Sequence, residues 1–156
     1  MHKRPLLLLF ATLMFVAVPA IAGGSPQSGD SATGSAKFAV VEAHVVVSAH
    51  SGPLGEDAHG HFSLDQGVGD IQLWAEVTCL NVQGNLASIG GVTVKSRSGL
   101  PAGTGVLQIV QDVGSPGDMD RSQTFIVATP PVVCPAPFPP GFEADQGNYV
   151  VNDELP

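Results

Sequence analysis

The sequence predicts an all-β fold: a small antiparallel β-sandwich or a partly open barrel of about seven strands. Three observations carry the prediction. Beyond residue 22 no stretch makes a convincing helix; helix competes as a reading only for Ala36 to His50, where four Val in a short window and the Gly-Pro that follows argue against it. Short alternating runs rich in Val, Ile and Phe are separated by Gly, Pro, Asp and Ser, with 19 glycines and 13 prolines in 156 residues. The stretch from Asp70 to Ser96, DIQLWAEVTCLNVQGNLASIGGVTVKS, reads as two strands joined at Gly84-Asn85.

The first 22 residues read as a processing segment. His2, Lys3 and Arg4 give a basic start, Leu6 to Val18 an apolar run, and Ala20-Ile21-Ala22 an A-x-A cleavage site. That is the pattern of a secretory signal peptide, and its apolar part is too short to span a bilayer comfortably. The expected location is therefore secreted or periplasmic, with no membrane span in the mature chain. Residues 23–35, GGSPQSGDSATGS, are small and polar and read as a flexible leader. Residues 36–156 form a single β-domain, long enough for one core.

Within that domain, AKFAVVEAHVVVSAH from Ala36 to His50 reads as one strand. Alternation places Ala39, Val41, Ala43, Val45 and Val47 on the buried face and Phe38, Val40, Glu42, His44 and Val46 outside. SGPLGEDAHG is a loop by composition. GHFSLDQ follows as a short strand with Phe62 and Leu64 inward. In the central unit Ile71, Leu73, Ala75, Val77 and Cys79 share the apolar face, opposite Gln72, Trp74, Glu76 and Thr78. The return strand runs from Leu86 to Ser96, and Gly90-Gly91 within it marks a bulge or bend. VLQIVQDV, SQTFIVA and GNYVVND complete the strands. Residues 129–141, TPPVVCPAPFPPG, hold six prolines; they cannot sustain a ladder and read as an extended cover held by Cys134.

Without residues 1–22 the chain has 14 acidic and 4 basic residues, net −10 over 134 positions. Phosphate backbones are bound through clustered Lys and Arg, so nucleic acid and anionic lipid are excluded as expected partners. The expected partner is an extracellular protein or an envelope component. The two cysteines, Cys79 and Cys134, are expected to pair in an oxidising compartment. Neither has the C-x-x-C context of redox chemistry.

The order of G-H-F, V-T-C-L-N-V-x-G-N-x-A-x-I-G-G, D-x-G-x-P-G-x-x-D, a late Cys and G-N-Y-V-V resembles a family of small exported bacterial β-domains. Thr78 to Gly91 and Asp112 to Asp120 carry the resemblance, which spans residues 37 to 152. It implies a compact β-fold, export and one disulfide, and transfers no catalytic residue.

Four groups of residues stand out as candidate sites. His59 and His61 form an H-x-H pair, which on a strand points both imidazoles to one side, as zinc or copper would require. His44, His50, Glu56 and Asp57 are candidate further ligands. The same AHGHF string resembles copper-zinc superoxide dismutases, but that family uses more histidines than the four beyond residue 22. Asp112, Asp118 and Asp120, around Gly114, Pro116 and Gly117, offer oxygens on a tight loop for calcium; their spacing fits neither an EF-hand nor the glycine-rich calcium repeats, and Asp also caps turns. Trp74 is a candidate binding platform, alone where carbohydrate sites commonly use several aromatics. Glu42, Asp65 and Glu76 fall on outward faces as scattered acids, and Ser96 and Ser98 lack a G-x-S-x-G elbow. The expected function is a non-enzymatic exported module for binding or envelope structure. Calcium is the one cofactor weighed for it, and a small metal-dependent enzyme built on His59 and His61 is the alternative.

Overall fold

The computed structural model describes residues 29–114 and 119–154. The expected signal peptide, residues 23–28 of the expected leader and Asp118 lie outside them. The described residues form nine strands: β1 Ser31–Phe38, β2 Ala43–His50, β3 His59–Gln66, β4 Ile71–Gln83, β5 Leu86–Ser96, β6 Gly105–Gln111, β7 Arg121–Val127, β8 Phe142–Glu143 and β9 Gln146–Asn152. All lie in one antiparallel sheet in the order β8-β7-β6-β5-β4-β3-β2-β1-β9.

The order explains the shape. From β1 to β8 the chain is a meander in which each strand pairs with the next. The chain then passes from one edge of the sheet to the other, because β9 pairs with β1. Two residues separate β8 from β9, so the edges can lie at most about 10 Å apart. A flat nine-stranded sheet would hold them several times farther apart. The sheet therefore curls into a half-barrel, with Ala144 N–H donated to the Asp120 carbonyl at 2.8 Å and Asp145 N–H to the Lys37 carbonyl at 2.8 Å across the join. The all-β expectation holds, and of its two forms the partly open barrel describes the single curled sheet.

Two strands beyond the expected seven come from identifiable places. The run from Ala36 to His50 is not one strand. Glu42 adopts a left-handed conformation (φ 49°) and donates its N–H to the Ala39 carbonyl, so Ala39–Val41 make a single 3₁₀ turn and Phe38 pairs with Ala43. The turn AVVE contains no Gly, Pro, Asn or Asp, and composition could not mark it. Phe38, expected outside, is consequently buried in the core. The second addition is the two-residue β8.

The leader also needs correction: Ser31–Ser35, read as flexible, belong to β1. Their backbone is paired on both sides, by β2 and by β9, and Ala32 is fully buried. Small side chains are an asset here. Gly34 faces Tyr149 and Asn148 of β9 so closely that a Cβ would lie 2.1 Å from the Asn148 carbonyl oxygen.

The inner face of the curl is the core. Ala36, Phe38, Val45, Val47, Phe62, Leu64, Leu73, Ala75, Val77, Ala87, Ile89, Val106, Val110 and Tyr149 belong to one buried cluster. Gly84-Asn85 forms the expected two-residue hairpin loop, Gln83 pairing with Leu86 and Gly84 taking φ 61°. The bulge near Gly90-Gly91 is present, but the extra residue is on the other strand. Val77 pairs with Gly91 and Cys79 with Gly90, which leaves Thr78 unpaired in β4. That one residue inverts the alternation: Leu80 and Val82 continue the core, and Cys79 leaves it. Cys79, expected on the apolar face with Val77, therefore points to the outside of the barrel.

There it meets the proline-rich cover. Cys79 and Cys134 form a disulfide, with their Cα atoms 5.4 Å apart. The cover crosses the outer face of β4–β7: the Thr78 hydroxyl donates to the Pro131 carbonyl, Asn81 donates to the Cys134 and Pro135 carbonyls, and Gly141 N–H donates to Gln123. Phe138 of the cover lies against Phe125 with ring centres 5.9 Å apart. Beneath it Ser88 and Ile109 are fully buried, apart from the main core. The barrel thus has a second, smaller apolar layer on one side.

Candidate functional site

The interior is not uniformly apolar. Pairing places Gln108 of β6 opposite Thr124 of β7, with Ser122 two residues along the same inner face. The fully buried Gln108 side chain donates from Nε2 to the Ser122 hydroxyl and accepts from the Thr124 hydroxyl at Oε1. An amide held at both ends has a fixed orientation, so these three residues form a rigid polar ladder inside the barrel. Behind it the Tyr149 hydroxyl is buried beside Ser122 without a well-formed hydrogen bond. Burial pushes the Tyr149 phenol far above its ordinary range, opposed in part by the Ser122 hydroxyl and reinforced by the charge of Asp120. The phenol is therefore a neutral donor at any physiological pH.

Ser122 and Thr124 also line a cavity of about 210 Å³ that opens to solvent at this end of the barrel. Its opposite wall is apolar: Phe38, Val45 and Leu64, with Phe142 of β8 at the rim. Gln66 and Gln123 complete the polar part, and among the described residues no ionisable side chain lines it. A concave apolar wall facing a few fixed hydroxyl and amide groups is the general form of a small-molecule site. Sequence reading missed it, because Gln108, Ser122 and Thr124 lie on two strands and come together only through register.

The expected site residues fall elsewhere. Asp112 and Asp120 use their carboxylates on backbone groups: Asp120 accepts from Val113 and Tyr149, and Asp112 accepts from Val151 at 3.2 Å. His59 and His61 are both exposed on β3. The imidazole beside His59 is that of His50, directly across the β2–β3 pair, with ring centres 5.7 Å apart. Among the described residues no three His, Cys, Asp or Glu side chains are arranged to hold a metal. Trp74 faces outward on β4 and is not under the proline cover; the Lys95 ammonium sits 5.1 Å from its ring centre, a cation–π contact. Asp65 accepts from Gln72 at 3.1 Å, and the Ser96 and Ser98 hydroxyls bond each other at 2.7 Å.

Fold and site together define a small β-barrel with an internal, uncharged ligand-sized mouth. Comparison with protein-family models, with curated proteins and with solved structures returns no match for this chain. No helix among the described residues is long and apolar enough to cross a membrane, and the disulfide is compatible with an extracytoplasmic location.

Proposed function

We propose that the protein is an exported, non-enzymatic binding module that takes a small amphipathic molecule, or one end of a longer one, into the mouth of its barrel. The observation that carries this reading is that Ser122 and Thr124, both held by the buried Gln108 amide, face Phe38, Val45 and Leu64 across an open cavity. An apolar body would lie against the wall and a polar tip would bond the ladder. Among the described residues the lining offers amides, hydroxyls and apolar groups, which suits binding. Export is supported by the signal-like N-terminus, the disulfide and the resemblance to small exported bacterial β-domains.

The test is titration of the folded protein with the fluorescent probe 1-anilinonaphthalene-8-sulfonate. Wild type should raise probe fluorescence to saturation at one equivalent. Leu64→Trp should abolish the rise by filling the cavity, and Thr124→Val should weaken it, with circular dichroism confirming that both stay folded. A wild-type signal unchanged by Leu64→Trp would remove the mouth from consideration.

A further inference from the structure

At the opposite end of β2 from the mouth, the β2–β3 hairpin brings together two imidazoles that the sequence separates by nine positions. His50 and His59 are register partners, the last pair of the ladder, with ring centres 5.7 Å apart and planes 29° from parallel. His59 Nδ1 lies 2.8 Å from the Asp57 carbonyl oxygen. A carbonyl can only accept, so Nδ1 carries the proton and the lone pair of the neutral ring resides on Nε2. Metal-ligating histidines are commonly oriented in this way, by a carbonyl or carboxylate on the nitrogen that does not bind the metal. Asp57 itself sits at φ 53°, the left-handed region, as the loop turns back into β3.

The surroundings favour a cation. Both rings line an indented cavity of about 210 Å³ together with Asp30, Glu56 and Asp57. Glu56 already accepts the Leu54 N–H at 2.8 Å, and Asp30 accepts the Glu154 N–H at 3.1 Å. These carboxylates therefore supply negative field more readily than direct coordination.

We propose that His50 and His59 form a two-imidazole clamp for a divalent transition-metal ion, with water or an added ligand in the remaining positions. Two imidazoles on one ion, each at about 2.0–2.1 Å, place their ring centres about 5 Å apart. The observed 5.7 Å is close to that spacing, and the two rings, 29° from parallel, must turn about their side-chain torsions for the lone pairs to converge on one ion. Among divalent ions copper(II) is held tightest by nitrogen donors and accepts an open, tetragonal arrangement. The pair differs from His59 and His61, which the sequence suggested: those lie two residues apart on one strand, whereas His50 and His59 are register partners on adjacent strands.

The experiment is calorimetric titration of untagged protein with copper(II), paired with electron paramagnetic resonance of the complex. Wild type should bind with two nitrogens in the equatorial signature. His50→Ala and His59→Ala should each weaken binding by at least about tenfold, equivalent to one imidazole's worth of affinity. His61→Ala should leave it within about threefold. All three side chains are at the surface, and thermal melts establish that the variants fold. Absence of binding by wild type, binding that survives His50→Ala, or a loss in His61→Ala equal to that in His59→Ala would each overturn the clamp.

Discussion

One carboxylate oxygen of Asp120 accepts the backbone N–H of Tyr149, tying the entry of β7 to the middle of β9. Its other oxygen takes the Val113 N–H at 2.9 Å. Asp112 does the same one step along, accepting from Val151. Tyr149 and Val151 have the same parity, and their N–H groups point away from β1, where a further strand would stand. Two carboxylates occupy that place. They close the seam of the curl where the backbone ladder ends, and each bond is charge-assisted.

Asp120→Ala should therefore lower the stability by about 3 kcal/mol, since the buried N–H of Tyr149 and the half-buried N–H of Val113 both lose a charged acceptor. Asp112→Ala, with one such bond in a more exposed setting, should cost about 1 kcal/mol. Asp120→Asn should fall between wild type and Asp120→Ala, because an amide retains one acceptor oxygen. Urea denaturation midpoints measure all three. Equal midpoints for wild type and Asp120→Ala would mean the seam is held by something else.

Gly90 and Gly91 are adjacent and face opposite sides, so the same substitution should fail in two ways. A Cβ on Gly90 would lie 2.5 Å from Cys79 Sγ and 2.9 Å from Pro131 Cγ, under the cover. One on Gly91 would lie 2.7 Å from Phe62 Cε1 and 2.8 Å from the Glu76 carbonyl oxygen, in the core. Each alanine should cost about 1–3 kcal/mol through overpacking. Gly90→Ala should displace the cover and make residues 129–141 sensitive to protease under native conditions. Gly91→Ala should lower the global midpoint without that selective cleavage. Identical protease patterns for the two variants would contradict the assignment of opposite faces.

The contrast between these residues shows what sequence could convey. Alternation identified the inward Val45, Val47, Phe62, Leu64, Leu73, Ala75 and Val77 because β2, β3 and β4 carry no extra residue across those positions; the register shift at Trp74 and Ala75 puts its extra residue, Val94, on β5. It misplaced Cys79 because a single extra residue, Thr78, reverses every later position and leaves no compositional trace. Phe38 was misplaced for a similar reason, a turn built from Ala, Val, Val and Glu. The pairing of Cys79 with Cys134 was legible from chemistry alone. The ladder of Gln108, Ser122 and Thr124 was not, since each residue reads locally as an ordinary polar strand position. Likewise Asp112 and Asp120 resembled cation ligands, and only the position of β9 shows which backbone groups they serve.

The disulfide should act locally as well as globally. The bridge joins residues 55 positions apart, and removing it should cost about 4 kcal/mol by loop entropy. The paired substitution Cys79→Ser with Cys134→Ser should also loosen the cover before the barrel. Hydrogen exchange should accelerate first at Ser88, Gly90 and Ile109, the positions beneath it, while the β1–β2 amides keep their protection. Uniform acceleration across the sheet would show that the cover and barrel open as one unit.

Asp30 carries a pH dependence opposite to that of most carboxylates in folded proteins. Burial pushes its carboxyl up from 3.8, the Glu154 N–H that it accepts pulls it back in part, and repulsion from Asp153, Glu56 and Glu154 adds to the rise. His50 and His59 line the same cavity on its other side. A folded value above the unfolded one means the native state binds this proton more tightly, so ionised Asp30 opposes folding. The opposition is complete above the folded value and disappears as pH falls through it toward 3.8. Asp30→Asn keeps an acceptor for the Glu154 N–H and removes the charge. The variant should be more stable than wild type at pH 7, and its advantage should shrink steadily toward pH 4. Paired thermal melts across that range measure the difference. An advantage that stayed constant or widened on acidification would place the strain in the hydrogen bond and not in the charge.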